Sequence, residues 1–546
     1  MEPKASDNDL IQLNLGTHFK FFQDGLEDVK RMGIIQRIWQ KDYTVWSPSP
    51  KGVLDRLGWL IGPEYAETQL SKFLEFGEQI KREGFSHLVL IGMGGGTLGA
   101  EVLNRIFDHK SGFPELILLD STIPKSILTV VNSINLNRTL FIISSKTGGS
   151  IETNSLYMFF RSLLQDSINQ ELVGERFIAI TDKDSPLHKI ALEHHFRKII
   201  LNPADIGGRF SVLSAFGLLP ATLTGINTEL LIHRAKEMRR SCLKEVPIEK
   251  NPAALLGSAI GSLGVRGRDK LTLIASPSLK GFGIWVEQML AESTGKDGRG
   301  IIPINDEPLS SPSNYGNDRL FVYIRLSGDE NEDLDNFVKE IQGFGHPSIQ
   351  INLKDKYDLS GEFYLWQFAT AVASSFLGIQ PFDQPNVQQA KDGTNKILLE
   401  YELTGSFKAT TDSQNPTRLL TDPSSNAYLT IMAYIPQNHE NDQSFHQIRR
   451  NILERYQITT TFGYGPRFLH STGQLHKGGP NNGRFLQVIA DYENDVPIPE
   501  KSYTFGMLVS AQAEADLVAL KTLGRSVVRI HLRNNTLSEL QSFLIP

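Results

Sequence analysis

The sequence has almost no cysteine: Cys242 is the single one in 546 residues, which excludes an intramolecular disulfide and any cysteine-built metal cluster. It also lacks an apolar run approaching the roughly 20 residues that a membrane helix needs. A strong charge of either sign is missing: 55 Lys and Arg face 61 Asp and Glu, a net charge of −6, and nothing there suggests a nucleic-acid partner. The opening residues, MEPKASDNDLIQLNLG, show no basic stretch followed by an apolar core, so no secretory leader is expected. Repeats of short period and low-complexity tracts are absent as well. These absences point to a soluble, cytoplasmic protein without nucleic-acid or membrane partners, in which Cys242 reads as a bland buried or half-exposed thiol.

What the chain does have is length, and 546 residues exceed what one hydrophobic core usually organises, so two large domains with or without an accessory unit are expected. Apolar, non-alternating runs recur with helical patterns between them: SHLVLIGM (86–93), ELILLD (115–120), TLFIISS (139–145), RFIAITD (176–182) and RKIILN (197–202). Such runs suit strands buried on both faces of a parallel sheet. A helical bridge over 209–262 leads to a second series, KLTLIASPS (270–278), RLFVYIRL (319–326) and SIQINL (348–353). The organisation read from this is a mostly helical segment over 1–80, an α/β unit over 81–208, the bridge, and a second α/β unit over 263–403. A polar linker over 404–426 and a smaller α/β region over 427–546 complete it.

Two loops at strand ends carry anion chemistry. IGMGGGTLG (91–99) follows a strand and opens a helix. It contains Gly94-x-Gly96-x-x-Gly99, with Asp120 at the end of the next strand, formally a dinucleotide fingerprint. Its glycines would equally let a backbone approach a sugar phosphate. In IISSKTGGSIETN (142–154), Ser144, Ser145, Thr147 and Ser150 supply hydroxyls, Lys146 a charge, and Gly148 and Gly149 accessible N–H groups. An ordinary serine-rich helix cap would read the same way. The Walker A spacing is absent.

Three further segments hold candidate catalytic groups. In DIGGRFSVLSAFGLLPA (205–221) two glycines present Arg209, a permanent cation suited to a developing negative oxygen, or simply a loop anchor. Glu292 in VEQMLAESTGKDGRG (286–300) stands near the end of an apolar helix, where a carboxylate could be partly desolvated and act as a base; surface glutamates at helix ends are commoner. YGPRFLHSTGQLHKGGPNN (464–482) carries His470, Gln474, His476 and Lys477 among glycines. Its histidines are six apart, which does not place two ligands on one helical face, so no zinc site is expected. Acid–base work by a histidine and a solvated basic loop both remain open.

Taken together, IGMGGGTLG, SSKTGGSIETN, GGRFSVLSAFGL, ESTGK, FDQPNVQQAK and HSTGQLHKGG resemble the phosphoglucose isomerase family from about residue 35 onward. IWQKDYTVW and RLGWL add a likeness to the isomerase half of bifunctional transaldolase/phosphoglucose isomerase proteins. The resemblance implies two doubly wound sugar-isomerase (SIS) α/β domains and interconversion of glucose 6-phosphate and fructose 6-phosphate through ring opening and an enediolate. It implies a phosphate on Ser145, Lys146, Thr147 and Ser150, with Gly95 and Gly96 beside the sugar. Arg209 would steady the enediolate and Glu292 would move the proton between C2 and C1. His470 would help open the ring, Lys391 would assist at the ring oxygen, and Gln384, seven residues before Lys391, would contact substrate. No metal or redox cofactor is implied, and a homodimer is.

Two departures stand out. Gly96 replaces the small hydroxylated residue common at that point of the first loop. His470 follows Lys391, whereas in many family members the histidine comes soon after the glutamate, so the fold must bring the C-terminal region, or a partner subunit, back over the site. The sequence keeps two rivals in play: an NAD-dependent dehydrogenase using the glycine fingerprint and Asp120, and a non-catalytic sugar-phosphate regulator. A transaldolase activity is not expected, because some 80 residues cannot hold a (β/α)8 barrel.

Overall fold

The computed structural model describes residues 10–407, 409–410, 415–421, 426–532, 537 and 540. The first nine residues of the opening stretch, part of the expected 404–426 linker and most of 533–546 lie outside the described residues.

The chain opens with β1 (Ile11–Asn14), which reaches across to the second sheet, and continues through 3-10 turns and the helices Phe19–Arg31, Ile34–Trp39 and Gly62–Glu83. The first sheet consists of β2 (His87–Gly92), β3 (Glu115–Leu119), β4 (Thr139–Ser144), β5 (Phe177–Asp182) and β6 (Lys198–Asn202) in the spatial order β3-β2-β4-β5-β6. All its pairings are parallel, and β4 is buried at every position, as unbroken apolar runs require. The second sheet holds β7 (Lys270–Ala275), β8 (Ile302–Ile304), β9 (Arg319–Leu326) and β10 (Ser348–Leu353), in the order β1-β10-β9-β7-β8, with only β1 antiparallel. The third is four parallel strands, β11 (Tyr428–Tyr434), β12 (Thr459–Tyr464), β13 (Gly483–Ala490) and β14 (Ser526–Leu532), ordered β12-β11-β13-β14.

The sequence reading did not include β1, β8 and β12. All three are edge strands, and edges need no continuous apolar run: β8 carries Pro303, which an edge tolerates, and β12 reads TTTFGY.

Between the first and second sheets lie the helices Ala215–Leu223, Thr228–Ser241 and Pro252–Gly264. The last of these packs against Leu359–Leu377, a helix whose Phe363, Tyr364, Leu365, Trp366 and Phe368 are fully buried. One hydrophobic cluster runs through this pair, the N-terminal helices and the inner faces of the first two sheets. Cys242 belongs to it and is buried, with burial raising its thiol above the ordinary range. Among the described residues no helix is long and apolar enough to cross a membrane.

The winding of the first sheet decides where a ligand can sit. From β2 the chain moves to β3 on one side and then crosses to β4 on the other, so a crevice opens between the carboxyl ends of β2 and β4, the usual ligand position in such sheets.

Candidate active site

The two anion loops of the sequence meet in that crevice. After β2 the chain makes a 3-10 turn, Gly94–Gly96, and starts the helix Leu98–Ile106. Ser144 at the end of β4 ties the loops together by donating from Oγ to Gly96 O at 2.5 Å. Gly95 is required by contact: a Cβ there would stand 2.2 Å from the carbonyl carbon of Gly208, so two backbones touch where no side chain fits. Gly148, at φ +66, turns the second loop in a conformation that favours glycine, and a Cβ would strike Leu187 N at 2.4 Å. Ser150 caps the helix Ile151–Gln165, its Oγ accepting from Thr153 N, so this loop is a helix cap and a cavity wall at once.

A cavity of about 230 Å³ lies over these loops, and the eleven residues to which the resemblance gave a role line it: Gly95, Gly96, Ser145, Lys146, Thr147, Ser150, Arg209, Glu292, Gln384, Lys391 and His470. They come from every part of the chain. Glu292 arrives on the helix Phe282–Thr294, Gln384 and Lys391 on the segment that enters the helix Gln388–Thr404, and His470 on the turn after β12. His470 therefore reaches the cavity from its own chain. A larger cavity of about 1100 Å³ lies against the second sheet; none of these residues lines it, and carboxylates such as Asp306, Asp329 and Asp333 make its wall unsuited to phosphate.

Glu292 is buried. Its Oε1 lies 3.2 Å from Arg209 Nη1, and its Oε2 accepts from Gln288 Nε2 at 3.0 Å. Arg209 is fixed on its other sides: Nε donates to Ser293 Oγ at 2.8 Å, and Nη2 to Pro381 O at 2.5 Å and Asp383 O at 3.0 Å. Burial pulls the guanidinium below its ordinary range, while Glu292 and Asp383 push it back up. Lys296 is held just behind, with Nζ 2.8 Å from Asp383 Oδ1. Burial and the nearby Arg209 charge bring it down to about 8, against the pull of Asp383.

His470 Nε2 lies 2.7 Å from Glu152 Oε1, which also accepts from Gln512 Nε2 at 2.6 Å, while Ser150 Oγ donates to Oε2 at 2.8 Å. Burial would raise the Glu152 carboxyl, yet the His470 partner and these hydrogen bonds overcome it and hold the group down at about 2. A carboxylate of this kind fixes an imidazole's orientation and proton placement. The segment 467–478 is not the solvated basic loop that its composition allowed. It forms a turn and a short helix, Gly473–Gly478, whose Gln474, His476 and Lys477 are buried.

Two expectations change in detail. Lys146 lines the cavity, but its ammonium is 2.5 Å from Asp182 Oδ2 and 2.9 Å from Ala204 O. Lys146 just follows β4 and Asp182 ends the neighbouring β5, so the sheet itself brings the two together. Asp120, the acid of the dinucleotide reading, does not line the cavity. It is buried against Arg467, Nε to Oδ2 3.1 Å, and burial raises it to about 6 in spite of that partner. An acid committed to a buried arginine is not presented to a ribose.

Sequence reasoning missed Glu152, Gln288 and Gln512. Gln288 had a signal, since it precedes Glu292 by four residues on one helix and so shares its face. Glu152 and Gln512 had none, being 360 residues apart.

A family model described as phosphoglucose isomerase matches residues 70–301. The glucose-6-phosphate isomerase of Staphylococcus haemolyticus (strain JCSC1435) is 27% identical over 434 residues, covering 71% of this chain and 96% of that protein. The probable glucose-6-phosphate isomerase of Methanococcus maripaludis is 28% identical over 367 residues, covering 60% and 82%. Among solved structures, a hypothetical protein from Thermus thermophilus superposes with a TM-score of 0.62 at 21% identity, covering 71% of this chain and 99% of that one. A glucose-6-phosphate isomerase from Chlamydia trachomatis gives 0.52 at 18%, covering 62% and 74%; at such identities these two speak for the fold alone. The matched stretch takes in both anion loops, Arg209 and Glu292, and the chain is similar to phosphoglucose isomerases over it.

Proposed function

We propose that this protein is an aldose–ketose isomerase that interconverts glucose 6-phosphate and fructose 6-phosphate. The observation that carries this reading is the pairing of a buried carboxylate, Glu292, with Arg209 at 3.2 Å in the same cavity as a hydroxyl-rich loop. The phosphate rests on Ser145, Thr147 and Ser150 with Lys146 beneath, and Gly95, Gly96 and Gln384 flank the sugar. His470, oriented by Glu152, takes the proton of the O1 hydroxyl while the ring oxygen is protonated with the help of Lys391, and the C1–O5 bond breaks to give the open aldehyde. Glu292 then removes the proton at C2, the electrons move into a C1–C2 double bond, and the negative charge on O1 faces Arg209. A proton passes from the O2 hydroxyl to O1, and return of the abstracted proton to C1 as the C2 carbonyl forms completes the ketose.

The dehydrogenase reading loses its acid, because Asp120 is committed to Arg467. A regulator without turnover would need neither Glu292 nor Lys391. The test is a coupled assay in each direction with purified protein: the parent turns over both sugar phosphates, and Glu292→Gln lowers kcat by about 10²- to 10⁴-fold, the usual worth of general acid–base help. Equal rates for the two would sink the assignment of Glu292, and a parent that binds both sugars without converting them would favour the regulator. We further propose, on the family resemblance, two SIS domains with a C-terminal α/β region, acting in the cytoplasm as a homodimer; light scattering of the purified chain tests the last point.

A further inference from the structure

The family match begins at residue 70, and the residues before it are more than a brace. Leu57 pairs antiparallel with Ile206, and Gly58 N donates to Asp205 O at 2.9 Å. This fastens the N-terminal segment to the loop that leads into Gly207, Gly208 and Arg209. The turn just before that fastening, Leu54–Arg56, puts Arg56 in the wall of the candidate site, alongside Ser145, Lys146, Thr147, Gly207 and Gly208. Its Cδ packs 3.7 Å from where a Cβ on Gly207 would stand.

The charges at this end of the cavity do not favour a phosphate without Arg56. Lys146 is neutralised by Asp182 at 2.5 Å, and that aspartate would repel a dianion. The partners of Arg56 are local and open to water: Nη1 donates to Asp55 O at 2.7 Å and to Asp55 Oδ2 at 2.9 Å, and the Asp55 side chain is 61% exposed. Such an exposed pair is worth little and is easily traded for a phosphate, which a guanidinium can grip with two parallel N–H groups.

We propose that Arg56, supplied by the N-terminal segment outside the family match, is a substrate-binding residue that clamps the phosphate of the sugar phosphate opposite the Ser145–Ser150 loop. This rests on the isomerase reading only for its kinetic arm, since the binding of phosphate itself needs no turnover. Loss of one charge-assisted contact corresponds to about 10- to 100-fold in affinity. The experiment compares the full-length parent with Arg56→Gln and Arg56→Lys, measuring KM and kcat for both sugar phosphates and the Kd of inorganic phosphate by calorimetry. Arg56→Gln is expected to raise KM and the phosphate Kd together by about 10- to 100-fold with kcat within about threefold, and Arg56→Lys to recover part of both. A phosphate Kd within twofold of the parent in Arg56→Gln overturns the proposal, as does a fall in kcat with KM and Kd unmoved. If Arg56→Gln does not fold, Arg56→Lys decides: a weaker phosphate Kd supports the clamp, and a parental Kd removes it. A parent that binds phosphate but turns over neither sugar counts against the isomerase reading and leaves the phosphate comparison standing.

Discussion

Glu152 does its work through another residue. It never reaches the cavity that Glu292 lines, yet it holds the imidazole of His470 and is itself held by Gln512 and Ser150. Because its carboxyl lies at about 2 instead of the usual 4.5, its contribution to stability is complete above pH 4.5 and is lost as the pH falls towards 2. Urea unfolding of Glu152→Gln across that range should show a flatter pH dependence than the parent. The same variant should lower kcat more than KM, because a neutral amide no longer fixes the proton and orientation of the His470 imidazole as a carboxylate does. Glu292 was legible as a candidate because an apolar helix ran it into a glycine-rich loop. Glu152 was not, because a carboxylate in the first turn of a helix is what the helix dipole favours in any case.

The elements fall into two kinds by how plainly the sequence announced them. β4 and β9, buried in mid-sheet, read as apolar runs and lie where expected, whereas β1, β8 and β12 form edges and gave no such run. The two glycine loops depend on backbone contact, and this makes a sharp expectation: in Gly95→Ala the new methyl would meet the Gly208 carbonyl carbon at 2.2 Å. The loops must separate, so activity should fall at least tenfold while far-UV circular dichroism stays parental. Gln474 joins three segments. Its Nε2 donates to Gly295 O at 2.9 Å and to Asn386 Oδ1 at 2.8 Å, and its Oε1 accepts from Asn386 N at 2.9 Å. It thus ties the end of the Glu292 helix, the turn of His470 and the approach to Lys391 to one another. Gln474→Met keeps the size and loses all three bonds, and since leaving buried polar groups unpaired costs about 1–3 kcal/mol, thermal unfolding should shift down by several degrees. Activity should fall about tenfold, as measured in the coupled assay.

The complete set of groups belongs to one chain, although Glu292 stands on the helix Phe282–Thr294 and His470 on the turn after β12. Mixing Glu292→Gln with His470→Asn protein should therefore recover no activity, even after unfolding and joint refolding. Recovery of about a quarter of parental activity would mean instead that His470 works in a neighbouring subunit. Chain order concealed this from sequence reading, because closeness in space between positions 152 and 470 is a property of how the three sheets pack and leaves no local signal.

The separation of Glu152 from His470, 318 residues, also has a meaning in time. At about 5–20 residues per second of synthesis, roughly 15–60 s pass on the ribosome between the two. Through that interval the loop after β4 and its strand have already been made, while Glu152 still lacks the imidazole it will hold. Until position 470 has been made the Glu152–His470 contact cannot form, so the arrangement proposed above is complete only after the turn that follows β12.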